Sequence, residues 1–133
     1  MTCTYTWTKQ CVVKTFTEFV EGKEFVQSAE HVGADPRFET LRIIYNDFLL
    51  IDGHSIDART YGRVAASRLG SVWNNPNYRV AFIAVDPTAA ELSQAISVGD
   101  PSATYHPQLC GTMEEGRAWF ARQPPLDAPR HRH

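Results

Sequence analysis

The sequence predicts a single α/β domain built on a mostly parallel central sheet of about five strands, with an N-terminal hairpin and four helices. Three observations carry this. The hydrophobic period switches repeatedly between two and about 3.6 residues. The order that results, ββαβαβαβα, puts a helix between successive strands, which implies parallel pairing with helices outside the sheet and right-handed crossovers. The chain has 133 residues, and a domain takes roughly 100–200.

The first strand is Thr4 to Thr8, where Tyr5 and Trp7 alternate with threonines. Cys11 to Phe16 is the second, joined through Lys9-Gln10 as a tight connection. Phe25, Val26, Ala29 and Val32 then share one helical face, and Gly33 with Pro36 ends that helix. Leu41 to Tyr45 is a compact strand, apolar enough for burial on both faces. Asn46 to Asp57 reads as a polar connection whose Leu49-Leu50-Ile51 covers the sheet end. Whether these three residues extend the strand is left open by the pattern.

Tyr61, Val64, Ala65, Arg68, Leu69 and Val72 give the clearest helical stripe, broken at Asn74-Asn75-Pro76-Asn77. Arg79 to Val85 is the most hydrophobic segment and reads as a central parallel strand. Asp86-Pro87 supplies an N-cap and a proline at the first helical position. The helix that follows carries Ala89, Leu92, Ala95 and Ile96 and runs to Gly99, with Asp100-Pro101 stopping it. Ala103-Thr104-Tyr105 reads as a short edge strand, limited by Pro107. Thr112-Met113-Glu114-Glu115 is a capping box that opens a last helix held to the sheet by Ala118, Trp119 and Phe120. Residues 1–122 thus form the domain, and residues 123–133, rich in proline and basic at the end, form a loose tail.

Composition narrows the function. The apolar fraction of 43% and charged fraction of 21% are ordinary. A net charge of −2, with the 13 Lys and Arg scattered, lacks the basic face a nucleic-acid binder needs. No run reaches the ~18 apolar residues of a membrane span, and the first residues lack the basic start and apolar core of a signal peptide. Cys3, Cys11 and Cys110 cannot all pair with one another and read as reduced thiols packed as small hydrophobes. A cytoplasmic location is the expectation.

Several stretches resemble the STAS/SpoIIAA-like family, relatives of STAS domains and of lipid-binding CRAL-TRIO domains. Phe16 to Phe25 looks like its passage from strand to helix, and Ala34 to Arg42 like its link into a strand ending in Asp, here Asp47. Arg79 to Ala84 followed by Asp86 is similar to its central strand, and Met113 to Phe120 to its closing helix. The resemblance spans residues 4–122 and implies a SpoIIAA-like fold. STAS regulators proper carry Asp-Ser-Ser or Asp-Ser-Thr, with a phosphorylated hydroxyl, where the second main helix begins. The corresponding Asp52-Gly53-His54-Ser55 departs from that element, which argues against phosphoregulation here.

Sheets of this class bind ligands outside the carboxyl ends of parallel strands, where strand order reverses. The Asn46–Asp57 and Val85–Thr88 connections should meet there, bringing together Asp47, Asp52, His54, Ser55, Asp57 and Asp86 as the candidate partner- or ligand-binding site. The catalytic case is thin. His54 and Ser55 are neighbours whose side chains point apart, no Gly-x-Ser-x-Gly elbow exists, and Asp52 and Asp57 sit where capping alone explains them. Asp52, His54 and Asp57 match no zinc spacing, and no phosphate-binding glycine motif occurs, so no metal or cofactor is expected. The reading is a non-catalytic regulatory or protein-interaction domain with a protein partner. The alternatives are a binder of a small apolar, lipid-like ligand, from the family kinship, and an uncharacterised enzyme.

Overall fold

The computed structural model describes residues 2–71, 75, 77–100 and 107–124, with the side chains of 68–71 left aside. Its elements are β1 (Thr2–Thr8), β2 (Cys11–Val20), α1 (Gly22–Ala34), a 3-10 turn (Pro36–Thr40), β3 (Ile43–His54), α2 (Ala58–Ser71), β4 (Arg79–Ile83), α3 (Thr88–Gly99), β5 (Gln108–Cys110) and α4 (Met113–Arg122). The five strands lie in the order β1-β2-β3-β4-β5. The β1–β2 hairpin is antiparallel and every other pairing is parallel. Gln10, at the hairpin turn, takes a positive φ of 62°.

Each parallel crossover steps one strand in the same direction. Right-handed crossovers of that kind must all land on one face, and α1, α2 and α3 do. Phe25, Tyr61, Leu92 and Ile96 from those helices share a core with Phe16, Phe48 and Phe82 of the sheet. The chain after the edge strand is free of that constraint. There α4 covers the opposite face, packing Met113, Trp119 and Phe120 on Cys11, Ile43, Tyr45, Ala81, Ile83 and Cys110. Close approach of α2 and α3 requires Gly99, where an added β-carbon would run into the carbonyl of Ala58.

Several sequence expectations change. β3 is not a five-residue strand followed by a polar connection: it runs twelve residues, so Asp47, Asp52 and His54 lie in the strand. Pairing with β2 as far as Val20–His54 holds it extended, with register slips after Thr15 and after Glu18, whose φ is 63°. Next, β4 ends at Ile83. It lies inside the sheet, between β3 and β5, as expected of a central strand. At α3 the N-cap is Pro87 rather than Asp86, whose Oδ1 instead accepts the Ala90 amide at 3.1 Å. Finally, no reversal of strand order exists, so the switch-point argument for a site has no place to act.

Ala103-Thr104-Tyr105 and the tail beyond Pro124 lie outside the described residues, as do Val72, Asn74 and Pro76. The described edge strand is Gln108–Cys110. Asn75 is buried, and its Nδ2 donates to the carbonyls of Phe38 and Leu41, both at 2.7 Å, tying the chain before β4 to the chain before β3. At α4 the Thr112 cap forms, its Oγ1 accepting the Glu115 amide at 3.0 Å, but the expected box does not close: Glu115 accepts the amide of Gly111 at 3.2 Å rather than that of Thr112.

Candidate functional site

Four consecutive residues at the end of β3 tie the three helices of one face together. His54 accepts the Ile56 amide at Nδ1 (3.0 Å). Its Nε2 must therefore carry the proton, and it donates to Oε1 of Glu91 on α3 at 2.9 Å. Only 6% of this imidazole is exposed. Ser55 Oγ accepts the amide of Gly22 at 2.9 Å, serving the first turn of α1 rather than that of α2. At Gly22 a β-carbon would stand 2.6 Å from Thr60 Oγ1, so only glycine lets α1 start so close to α2. Ile56 is buried in the core. Asp57 is the cap of α2, its Oδ1 accepting the Thr60 amide at 2.8 Å, and these bonds to Thr60 hold its carboxyl below the usual range.

The other nominated residues are dispersed. Asp47 Oδ1 accepts the Leu49 amide at 3.0 Å, within the irregular stretch of β3. Asp52 is exposed on the far part of that strand, and Asp86 is exposed and engaged with α3. So His54, Ser55 and Asp57 act as a structural staple, and none of the six nominated residues lines the apolar cavity described below. Among the described residues no three metal-ligating side chains cluster. The thiols of Cys3 and Cys110 are pushed up by burial, which leaves them poorer nucleophiles.

Past the last β3–β4 pair, Asp47–Ile83, and the last β1–β2 pair, Thr2–Thr17, strands β2 and β3 continue together as a two-stranded arm. The arm carries Phe19, 48% exposed, and Leu50, 63% exposed, with Leu49 beside it. Phe19 lies over Gly53, its register partner.

A second place escaped the sequence reading. Between α1, α2 and the sheet is a cavity of about 340 Å³, lined mainly by apolar side chains including Phe25, Val32, Phe38, Ile44, Val80 and Phe82. Two polar residues stand on its floor, Lys14 of β2 and its register partner Asn46 of β3, each 2% exposed. Lys14 Nζ donates to Ser28 Oγ of α1 at 3.0 Å and lies 5.0 Å from the Phe25 ring centre and 5.6 Å from that of Phe16. Burial lowers its pKa from 10.5 to about 7. Asn46 Oδ1 is buried without a hydrogen-bond partner. A signal existed in the sequence. Val12-x-Lys14-x-Phe16 and Ile44-x-Asn46-x-Phe48 each set one polar residue at an inward-facing parity position.

No family model matches the sequence, and no curated protein resembles it significantly. Solved structures do resemble it in fold. Unphosphorylated SpoIIAA, an anti-sigma factor antagonist, superposes with a TM-score of 0.58 at 12% identity, over 91% of this chain and 98% of that one. An uncharacterized DUF3478 protein with a SpoIIAA-like fold, from Shewanella loihica PV-4, gives 0.50 at 11% identity, over 90% and 92%. The chain therefore has the SpoIIAA-like fold that its residues led us to expect.

Proposed function

We propose that this domain is a non-catalytic regulatory or protein-interaction module of STAS-like type, docking a protein partner on the β2–β3 arm and the adjoining Asp52–Asp57 segment. The observation that carries the reading is the pair Phe19 and Leu50, large apolar side chains left about half exposed or more on strands that outrun their neighbours. Exposed apolar surface rimmed by polar residues is the usual mark of an interaction site, and Asp52 and Glu18 provide such a rim. Further support comes from the engagement of His54, Ser55 and Asp57 in holding helices, which leaves them little freedom for proton or group transfer. The fold match is to a protein named as antagonist of another protein. A cytoplasmic setting suits the three free cysteines. No helix among the described residues is long and apolar enough to cross a membrane.

Quantitative co-purification from the native cell tests this, comparing the wild type with a Phe19→Ser/Leu50→Ser chain of unchanged circular dichroism. A partner retained by the wild type and lost by the variant supports the reading. Equal retention moves the interface elsewhere, and no specific partner on either chain counts against an interaction role.

A second reading, binding of a small apolar ligand, is favoured by the cavity over β2, β3 and β4. Its volume falls at the low end of the roughly 300–1,000 Å³ typical of small-molecule sites, and its walls are apolar with a few polar groups inside.

A further inference from the structure

Lys14 is the only Lys, Arg or His among the cavity's described lining residues. It has no carboxylate paired with it among the described residues, although Glu30 and Asp100 also line the cavity. Taking an ammonium out of water costs several kcal/mol unless an anion and further hydrogen bonds compensate. Among the described residues the protein offers it a single hydroxyl, Ser28 Oγ, whose own proton goes to the Phe25 carbonyl at 2.7 Å, and two aromatic faces. Beside Lys14, the oxygen of Asn46 is buried without a donor. Two adjacent, nine-tenths-buried polar groups with unused hydrogen-bonding capacity thus face an apolar space.

We propose that this cavity binds a small amphipathic monocarboxylate, its carboxylate seated on Lys14 and its hydrocarbon among Phe38, Ile44, Tyr78 and Val80. The inference rests on the ligand-binding reading above and names the chemistry of the ligand. An anionic head supplies the countercharge that Lys14 lacks, and an ammonium has three N–H groups to divide among Ser28, the ligand and Asn46. One negative charge fits better than two, because Glu30 and Asp100 also line the cavity and repel every negative charge added, against the single cation Lys14. A phosphate head, with a charge near −1.5 to −2, is disfavoured on that ground. The volume of about 340 Å³ suits a short chain rather than a two-tailed lipid.

The test uses octanoate, octanol and octyl phosphate on the full chain, read by calorimetric titration and thermal shift. Octanoate is expected to bind wild type about tenfold more tightly than octanol, the worth of one charge-assisted hydrogen bond. Lys14→Met should abolish that preference while keeping octanol binding. Its fold is safe in principle, since it replaces a buried charge by an apolar side chain of similar length. Val80→Trp, which fills the cavity from β4, should remove both ligands and keeps the proposal testable if Lys14→Met fails to fold. Octanol binding as tightly as octanoate overturns the carboxylate inference and leaves the ligand-binding reading standing. Failure of acid, alcohol and phosphate alike overturns both, and octyl phosphate equalling octanoate overturns the single-charge argument.

Discussion

Lys14 Nζ donates to Ser28 Oγ at 3.0 Å, a bond from the second strand to the first helix made wholly inside the protein. A lysine in that position destabilises the fold while it is charged. Burial has lowered its pKa from 10.5 to about 7, so between those values the unfolded chain holds a proton that the folded chain has released. Stability therefore rises with pH through that window. Cys3, whose thiol burial raises above its ordinary 9.0, acts in the opposite sense above pH 9. The urea midpoint should thus be higher at pH 9 than at pH 7, and Lys14→Met should flatten the difference. A midpoint that falls between pH 7 and pH 9 in the wild type would contradict the lowered pKa of the buried lysine.

Ser55 and Asp57, two residues apart, serve different helices. Ser55→Ala should cost about 1 kcal/mol, the usual worth of a helix-end hydroxyl acceptor. Its effect should appear as faster amide exchange in the first turn of α1, at Gly22, with α2 unaffected. Asp57→Ala should do the reverse, loosening Thr60 and Tyr61. Exchange that increases in α2 for the Ser55 variant would mean the 2.9 Å bond to Gly22 is not what Ser55 provides.

Gly99→Ala should be destabilising by about 2 kcal/mol, as is common when a well-packed contact is overfilled. The added methyl meets backbone, the Ala58 carbonyl, which cannot rotate aside. The companion change Gly33→Ala meets nothing within 4 Å and should be neutral or mildly stabilising in the helix. Chemical denaturation of the pair gives the contrast, and equal stabilities would refute the close α2–α3 contact.

Asn75→Ala should cost about 1–2 kcal/mol, because it removes two hydrogen bonds and leaves the carbonyls of Phe38 and Leu41 with one donor each, the Leu41 amide and Arg42 Nη1. Asn75→Asp should be at least as harmful, since a carboxylate would face two carbonyl oxygens in place of an amide donor. If denaturation midpoints of both variants matched the wild type, the tie between the two chain segments would carry no weight.

Local chemistry decided much of this protein, and the sequence displays it. Alternation in Tyr5-Thr6-Trp7, the apolar run from Arg79 and the Thr112–Glu115 cap each specify an element from near neighbours alone. The resulting order, strand and helix by turns, is enough to require a parallel sheet with an antiparallel margin. What the sequence left undecided or misplaced depends on partners distant in sequence. Leu49 to His54 is extended because β2 pairs with it, not because of its own pattern. Ser55 looks like a cap for the helix that follows it, yet the first amide of α1, thirty-three positions back, is the one within reach. Strand order is likewise a tertiary choice, and because it runs without reversal among the described strands, the switch point that placed the anticipated site is missing. Lys14 and Asn46 are thirty-two positions apart and become neighbours only through parallel pairing of β2 with β3. A polar residue at an inward parity position can be read from sequence; that two of them share the floor of one cavity is decided by the register of the sheet.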